Sequence, residues 1–362
     1  MQTDEPNYFG SPPRKRKDLI SMTLKEIAQE AGVSISTVSR VINRQSATAA
    51  SKEVQDRIWE IVRRTGYTPN VSARSLKQGG TGAPGSATHS IACLFARTSI
   101  SWDDPFFATL ARSIEEEAFR HNYVLKYSFT AIDIHSPNTF QLIADNHVDG
   151  VAVLGRCDKQ TLSFLKKYFK FVVYTGLNRL DAKYDQIICD GYQASRSAMQ
   201  YLLELGHRQI AYIGETENET RFTGYRDALA EEGIAFDRQL ISNVPLSPEG
   251  GYSGAKMLLE RKNPFTAVFT SNDVTAIGVM RALREAGRKL PDDISVISID
   301  DIPTAQYLSP MLTSVHIPLD EMGKQAAKIL IDRIEGGHVL PLQMTLPFHI
   351  AKRESCAPIK KK

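Results

Sequence analysis

Between Ile35 and Asn43 the run ISTVSRVIN mixes two kinds of residue at helical spacing. Val38, Val41 and Ile42 fall on one face, and Ile35, Ser36, Thr37, Ser39, Arg40 and Asn43 on the opposite one. Short hydroxyl and amide groups beside one long cation have the chemistry to meet base edges and phosphates in a major groove. A second polar set follows apolar runs farther along the chain. Asp300 and Asp301 come after ISVISI, Asn272 and Asp273 after AVFT, Tyr174 closes FVVY, and Arg221 stands a few residues beyond QIAYIG. Carboxylate, amide and guanidinium groups bridge neighbouring hydroxyls, and Trp102, Phe106 and Phe107 offer rings that stack on the apolar face of a sugar. An Asp or Asn after a strand is equally a helix cap.

The elements that must position the first set are legible. Thr23-Leu24-Lys25-Glu26 fits a capping box; Ile27, Ala28 and Ala31 then share a face, and Gly32 ends the helix. Ser34 can cap the helix that carries Arg40, so two short helices must pack across a tight turn. A third helix runs from a Ser51 cap to Thr65, with Val54, Ile58, Ile61 and Val62 at helical spacing, and Gly66 stops it. Residues 22–69 thus read as a three-helix headpiece, though a plain helical hairpin has a similar periodicity.

Charge supports the groove reading. Residues 11–77 hold thirteen Lys/Arg against six Asp/Glu, whereas the whole chain is only +3. A cationic module on a near-neutral body suits phosphate binding. Within the basic extension, residues 1–21, Arg14-Lys15-Arg16-Lys17 can also be a solvated tail. After Pro69, Asn70 can cap a helix through Val71, Ala73 and Leu76 (hinge, 70–78) that is too short to be stable alone. The linker 79–88 contains Gly80-Thr81-Gly82-Ala83-Pro84-Gly85. That spells GxGxxG, but a dinucleotide fingerprint must follow a strand and open a helix, and this segment does neither.

From Ser90 the pattern changes. Apolar runs at 91–96, 123–128, 151–154, 171–174, 209–213, 267–270 and 294–299 alternate with helical stretches such as Phe106–Arg120, Tyr192–Leu205, Phe222–Glu232 and Val274–Ala286. Continuous apolar strands separated by helices indicate an α/β class with parallel sheets covered on both faces. So many strands call for two doubly wound lobes with a cleft between them, spanning 89–356 ahead of a basic tail, 357–362. Ligands in such sheets bind beyond the carboxyl ends of strands, where the second polar set lies.

Other classes find little support. No window is apolar enough for a membrane helix and the N-terminus lacks a signal peptide's apolar stretch, which points to the cytoplasm. Cys93, Cys157, Cys189 and Cys356 are scattered, without the spacing of a zinc site or disulfide framework. No motif calls for a metal or cofactor, and no Walker A, HExxH or GxSxG sequence occurs. Asp273, Asp300 and Asp301 could be imagined as a catalytic carboxylate set, but no nucleophile or phosphate loop accompanies them.

TLKEIAQEAGVSISTVSRVIN (Thr23–Asn43), followed by GYTPNVSARSLK (Gly66–Lys77), closely resembles the headpiece and hinge of the lactose/galactose repressor (LacI/GalR) family. The resemblance implies that Ile35, Ser36 and Arg40 read bases and that Thr23, Thr37, Ser39 and Asn43 contact phosphates. It also implies that the hinge folds on the operator and wedges Leu76 into the minor groove. Through the body it matches Arg221, Asn272 and Asp300 to effector-binding positions. Tyr174 falls where sugar-responsive members often place an aspartate, and Leu246 and Leu319 where lactose-responsive members carry aromatics.

ISWDDPFF (100–107) and IDDIPTAQY (299–307) look most like repressors of galactosidase and oligosaccharide genes. The implied protein is a homodimeric repressor of carbohydrate genes, released from operator DNA by a sugar in the inter-lobe cleft of a periplasmic-binding-protein-like domain; no leucine heptad suggests a tetramer. Two alternatives stay open. One is a catabolite regulator that answers to a phosphorylated carrier protein, for which Arg112 and Arg120 stand beside Glu115, Glu116 and Glu117. The other is a sugar-binding protein without a regulatory role.

Overall fold

The computed structural model describes residues 23–42, 50–65, 88–96, 104–131, 146–261 and 263–359. The chain separates into two compact units, Met1–Ser86 and Ala87–Lys362. The extension, the hinge, nearly all of the linker and the end of the basic tail lie outside the described residues.

In the smaller unit, α1 (Leu24–Ala31), α2 (Ile35–Ile42) and α3 (Lys52–Thr65) form as their caps dictate. The Glu26 amide donates to Thr23 Oγ1 at 3.3 Å while the Thr23 amide donates to Glu26 Oε2 at 2.6 Å, a reciprocal capping box. These bonds from Thr23 hold the Glu26 carboxyl below its usual range. Gly32, at φ 66°, ends α1 in the left-handed region that a side chain would disfavour. Ser34 Oγ then accepts the Thr37 amide at 3.1 Å and starts α2. Ile27, Ala28, Ala31, Val38, Val41, Ile58 and Ile61 close one core, with Trp59 packed at its margin.

Among the described residues, the larger unit has two six-stranded sheets. In the first lobe, β1 (Ser90–Phe95), β2 (Val124–Thr130), β3 (Gly150–Leu154), β4 (Val172–Gly176), β5 (Asp185–Cys189) and β11 (Gln343–Leu346) lie in the order β11-β5-β4-β3-β1-β2, all parallel. In the second, β6 (Ile210–Gly214), β7 (Ile241–Asn243), β8 (Ala267–Thr270), β9 (Ser295–Asp300), β10 (Thr313–His316) and β12 (His349–Ala351) run β12-β10-β9-β8-β6-β7. Among the described residues, its α-helices are α4 (Pro105–Arg120), α5 (Lys159–Tyr168), α6 (Gly191–Glu204), α7 (Thr220–Glu231), α8 (Pro248–Glu260), α9 (Asp273–Glu285) and α10 (Leu319–Ile334).

Alternate residues of the first sheet bury into different cores. Ile91, Cys93, Ala152, Leu154 and Val173 join one, and Ala92, Leu94, Val151, Val153 and Tyr174 the other, as the two-residue period of a strand covered on both faces requires. The chain crosses between lobes three times, from β5 into α6, from β10 into α10 and from β11 into β12.

The apolar runs all become strands, with β2 and β4 each starting one residue and ending two residues later than expected. The sheets are parallel as expected except at β12, which pairs antiparallel with β10. Like β11 it is a short edge strand, partly exposed, so it carries no continuous apolar run to betray it.

Candidate functional site

The groove-facing set is displayed as its pattern demands. Val38 and Val41 are buried, whereas Ile35, Ser36 and Arg40 are exposed and Thr37 and Ser39 half-buried. Ile35 is 47% exposed, a large apolar side chain with no role in the headpiece core. Ser34 Oγ meets Ser36 Oγ at 2.7 Å and Thr37 Oγ1 at 2.8 Å, and Arg40 Nε donates to the Ser36 carbonyl at 3.3 Å. The guanidinium is thereby aimed along the helix toward its N-terminal turn, with its terminal nitrogens left for a bidentate acceptor. Thr23 caps α1 and is exposed. Asn43, Asn70 and Leu76 lie outside the described residues.

The second set converges on one cavity of the larger unit, enclosing about 500 Å³ of empty space with its mouth included. Phe106, Tyr174, Arg221, Asn272 and Asp300 all line it, together with Phe107 and Leu246. Trp102 lies outside the described residues. Leu319 does not line the cavity; it is buried in the core at the start of α10. The first lobe contributes the start of α4 and the ends of β3 and β4, the second lobe the start of α7, the N-cap of α9 and the end of β9. Every contributor is at a carboxyl end of a strand or the helix start that follows, where backbone donors and helix dipoles concentrate.

Arg221 and Glu219 form a buried fork-to-fork pair. Arg221 Nε and Nη2 each donate to a Glu219 carboxylate oxygen at 2.8 Å, and Nη1 donates to the Ser271 carbonyl at 2.7 Å. Burial alone would raise the Glu219 carboxyl; the adjacent guanidinium overrides it and holds the group at about 2. Asn272 is both cap and lining residue. Its Oδ1 accepts from the Thr275 amide at 3.2 Å and hydroxyl at 2.6 Å, so the Asn272 amide nitrogen is what remains to donate into the cavity.

Asp300 ends β9 at φ 126°, a conformation costly for any side-chain-bearing residue and concentrated at functional sites. Tyr174 is fully buried and its hydroxyl makes no well-formed hydrogen bond, while burial drives the phenol well above its ordinary range. Gly176 makes room for it, since a Cβ there would stand 2.6 Å from the Tyr174 hydroxyl.

Of the three aspartates considered as a set, only Asp300 reaches the cavity. Asp301 bonds His316 Nδ1 at 3.0 Å and Arg353 Nη2 at 2.6 Å. Asp273 lies fully buried against Ile302 and Ser314. They do not converge on a shared substrate position.

Sequence reasoning passed over Glu219, Arg156 and Asn178. Arg156, from the first lobe, donates to the Glu217 carbonyl at 3.1 Å and the Asn218 carbonyl at 2.7 Å of the second, and pairs with Glu215. Thr220 Oγ1 donates to Asn178 Oδ1 at 2.5 Å nearby. The two lobes are thus clasped at the cavity mouth. No local pattern marks these residues; at most, the crowding of Glu215, Glu217 and Glu219 was a hint that a cation must face them.

Residues 23–70 match the bacterial regulatory proteins of the lacI family, and residues 199–356 a periplasmic binding protein-like domain. Among curated relatives, the HTH-type transcriptional repressor PurR of Erwinia tasmaniensis is 33% identical over 321 residues, covering 86% of this chain and 90% of that protein. The HTH-type transcriptional regulator AscG of Escherichia coli is 35% identical, with 88% and 94% covered. Among solved structures, a transcriptional regulator CelR–cellobiose complex superposes with a TM-score of 0.67 at 28% identity, covering 92% of this chain and 99% of that one. A LacI family transcriptional regulator from Enterococcus faecium with bound ribose gives 0.66 at 30%, covering 75% and 100%. With its capped helix pair and a strand-end cavity between two doubly wound lobes, the chain belongs to the lacI family of bacterial regulatory proteins and is a DNA-binding transcription regulator.

Proposed function

We propose that this regulator is a homodimeric repressor of carbohydrate-utilisation genes, of the galactoside or oligosaccharide kind, that holds a pseudopalindromic operator until a sugar enters the inter-lobe cavity. The supporting observation is the cavity's charge. Both of its guanidinium groups, Arg156 and Arg221, are already engaged by carboxylates, and Asp300 adds a further acid. Such a site opposes phosphorylated or carboxylated effectors and suits a neutral polyol, whose hydroxyls Asp300 and Asn272 can bridge while Phe106 and Tyr174 pack on the ring. The solved relatives that hold cellobiose and ribose agree with that class.

The ligand acts by preferring one lobe arrangement over another, and so changes how the two hinge segments are presented to DNA. Operator binding places the protein with the chromosome, in the cytoplasm. A preferred DNA selected from a random pool should have two-fold symmetry. A panel of galactosides, cellobiose and ribose should contain a member that raises Tm and weakens that DNA complex. A panel with no such member overturns the sugar reading.

On α4 the phosphorylated-carrier alternative meets cations that are already paired. Arg112 pairs with Glu116, and Arg120, His121 and Lys328 all gather around the buried Glu117.

A further inference from the structure

Asp273 is a fully buried carboxylate that does not touch the cavity, and the sugar-binding proposal leaves it without a task. It stands in the first turn of α9, directly after the cavity residue Asn272, where the helix dipole favours an anion. Its Oδ2 accepts the Ile302 amide at 2.8 Å and its Oδ1 the Ser314 hydroxyl at 2.6 Å. Ser314 Oγ in turn accepts the Asp301 amide at 3.1 Å. The two amides so held are the pair immediately after Asp300, and both Asp300 and Asp301 have positive φ, 126° and 58°. Two consecutive non-glycine residues in sparsely populated conformations persist only where the surroundings over-determine them.

We propose that Asp273 is a positioning residue for the effector: its carboxylate grips the amides of Ile302 and, through Ser314, Asp301, and so keeps Asp300 turned into the cavity. One buried group thereby ties together the ends of β8 and β9, from which Asn272 and Asp300 reach the ligand. The inference rests on the sugar-binding reading for its ligand but not for its geometry.

The grip depends on charge. Burial pushes the Asp273 carboxyl up to about 7 against the hydrogen bonds from Ser314, the Ile302 amide and Ser298 that lower it. The charged groups around it are Asp301, with its partners His316 and Arg353, and across the cavity Asp300 and the Arg221–Glu219 pair. Protonation leaves one good acceptor oxygen where two donors, the Ile302 amide and the Ser314 hydroxyl, had one each, and Asp273→Asn does the same at every pH.

The test uses the full chain. Hydrogen–deuterium exchange of the peptide covering residues 298–304 is followed at pH 8 and pH 6, corrected for intrinsic rates, and cellobiose and ribose are titrated calorimetrically as probes. In Asp273→Asn the turn amides should exchange about tenfold faster, and a probe that binds the native protein should lose about tenfold in affinity, while β6 and β8 keep their protection. The native protein should show the same loosening between pH 8 and pH 6, and the variant no pH dependence. Ser314→Ala removes only the relay and should loosen Asp301 but not Ile302. Unchanged turn exchange in both variants overturns the proposal, and should Asp273→Asn not fold, Ser314→Ala decides it. If neither probe binds the native protein, the sugar reading suffers while the exchange measurement still tests the turn.

Discussion

The headpiece and the cavity divide structural and functional work in opposite ways. In the headpiece the residues expected to face DNA are exposed or half-buried, and a separate set, Ile27, Val38 and Ile58 among them, forms the core. Around the cavity the same residues do both jobs. Asn272 caps α9 and lines the site, Arg221 fills its side of an ion pair and lines the site, and Asp300 ends a strand in a strained turn. Base reading needs side chains that project beyond the fold. Enclosing a small polar molecule needs polar groups taken out of water; Arg221 and Glu219 satisfy one another there, while the Tyr174 hydroxyl is left without a well-formed bond.

The sharpest test of that contrast is Arg221→Ala. It takes the fork-to-fork partner from a buried carboxylate, leaving Glu219 only the more distant Arg156 at 3.7 Å, and should cost about 3 kcal/mol of effector-domain stability together with effector binding, measurable by chemical denaturation. A stable variant that merely fails to bind would break the comparison on the cavity side.

Next in size, Ile27→Ala opens a hole in the small core and should cost about 3 kcal/mol. Operator affinity should fall because the headpiece unfolds, with the effector domain's own thermal transition unmoved. Arg40→Ala should do the reverse, costing about 2 kcal/mol of discrimination at one base position with no change in headpiece stability. Comparing selected and random DNA by mobility shift would check it, and an equal loss on both would contradict a base-reading role. Thr23→Ala removes half of the capping box and should cost about 1 kcal/mol of headpiece stability, at a residue also expected to contact a phosphate.

Acid gives a finer measure. Because Glu219 is held at about 2 in the fold against an ordinary 4.5, its contribution is fully present above 4.5 and is lost as pH falls toward 2. Glu219→Gln should therefore flatten that limb of the Tm–pH curve for the effector domain while leaving the headpiece curve unchanged.

Legibility followed the same divide. The headpiece could be read residue by residue because each of its signals is local: Thr23 with Glu26, Gly32 at a helix end, Val38 and Val41 on one face. The cavity could be read only at strand ends, where Asp300, Asn272 and Tyr174 close apolar runs. Arg156 and Glu219 gave no such signal, since their partners are contributed by another lobe or set by burial. Leu319 shows the opposite failure. An expected pocket position turned out to be core, because the helix it starts packs against α4 rather than toward the cavity.

Local order thus settled the helix pair, the alternation of strand and helix, and the groove-facing set, all consequences of caps and periodicity within a few residues. Tertiary structure alone decided which of three aspartates faces the cavity, which arginine clasps the lobes and why Asp273 is buried. Each of those outcomes depends on elements brought together by three crossings between sheets, and no local pattern records which strand end will meet which.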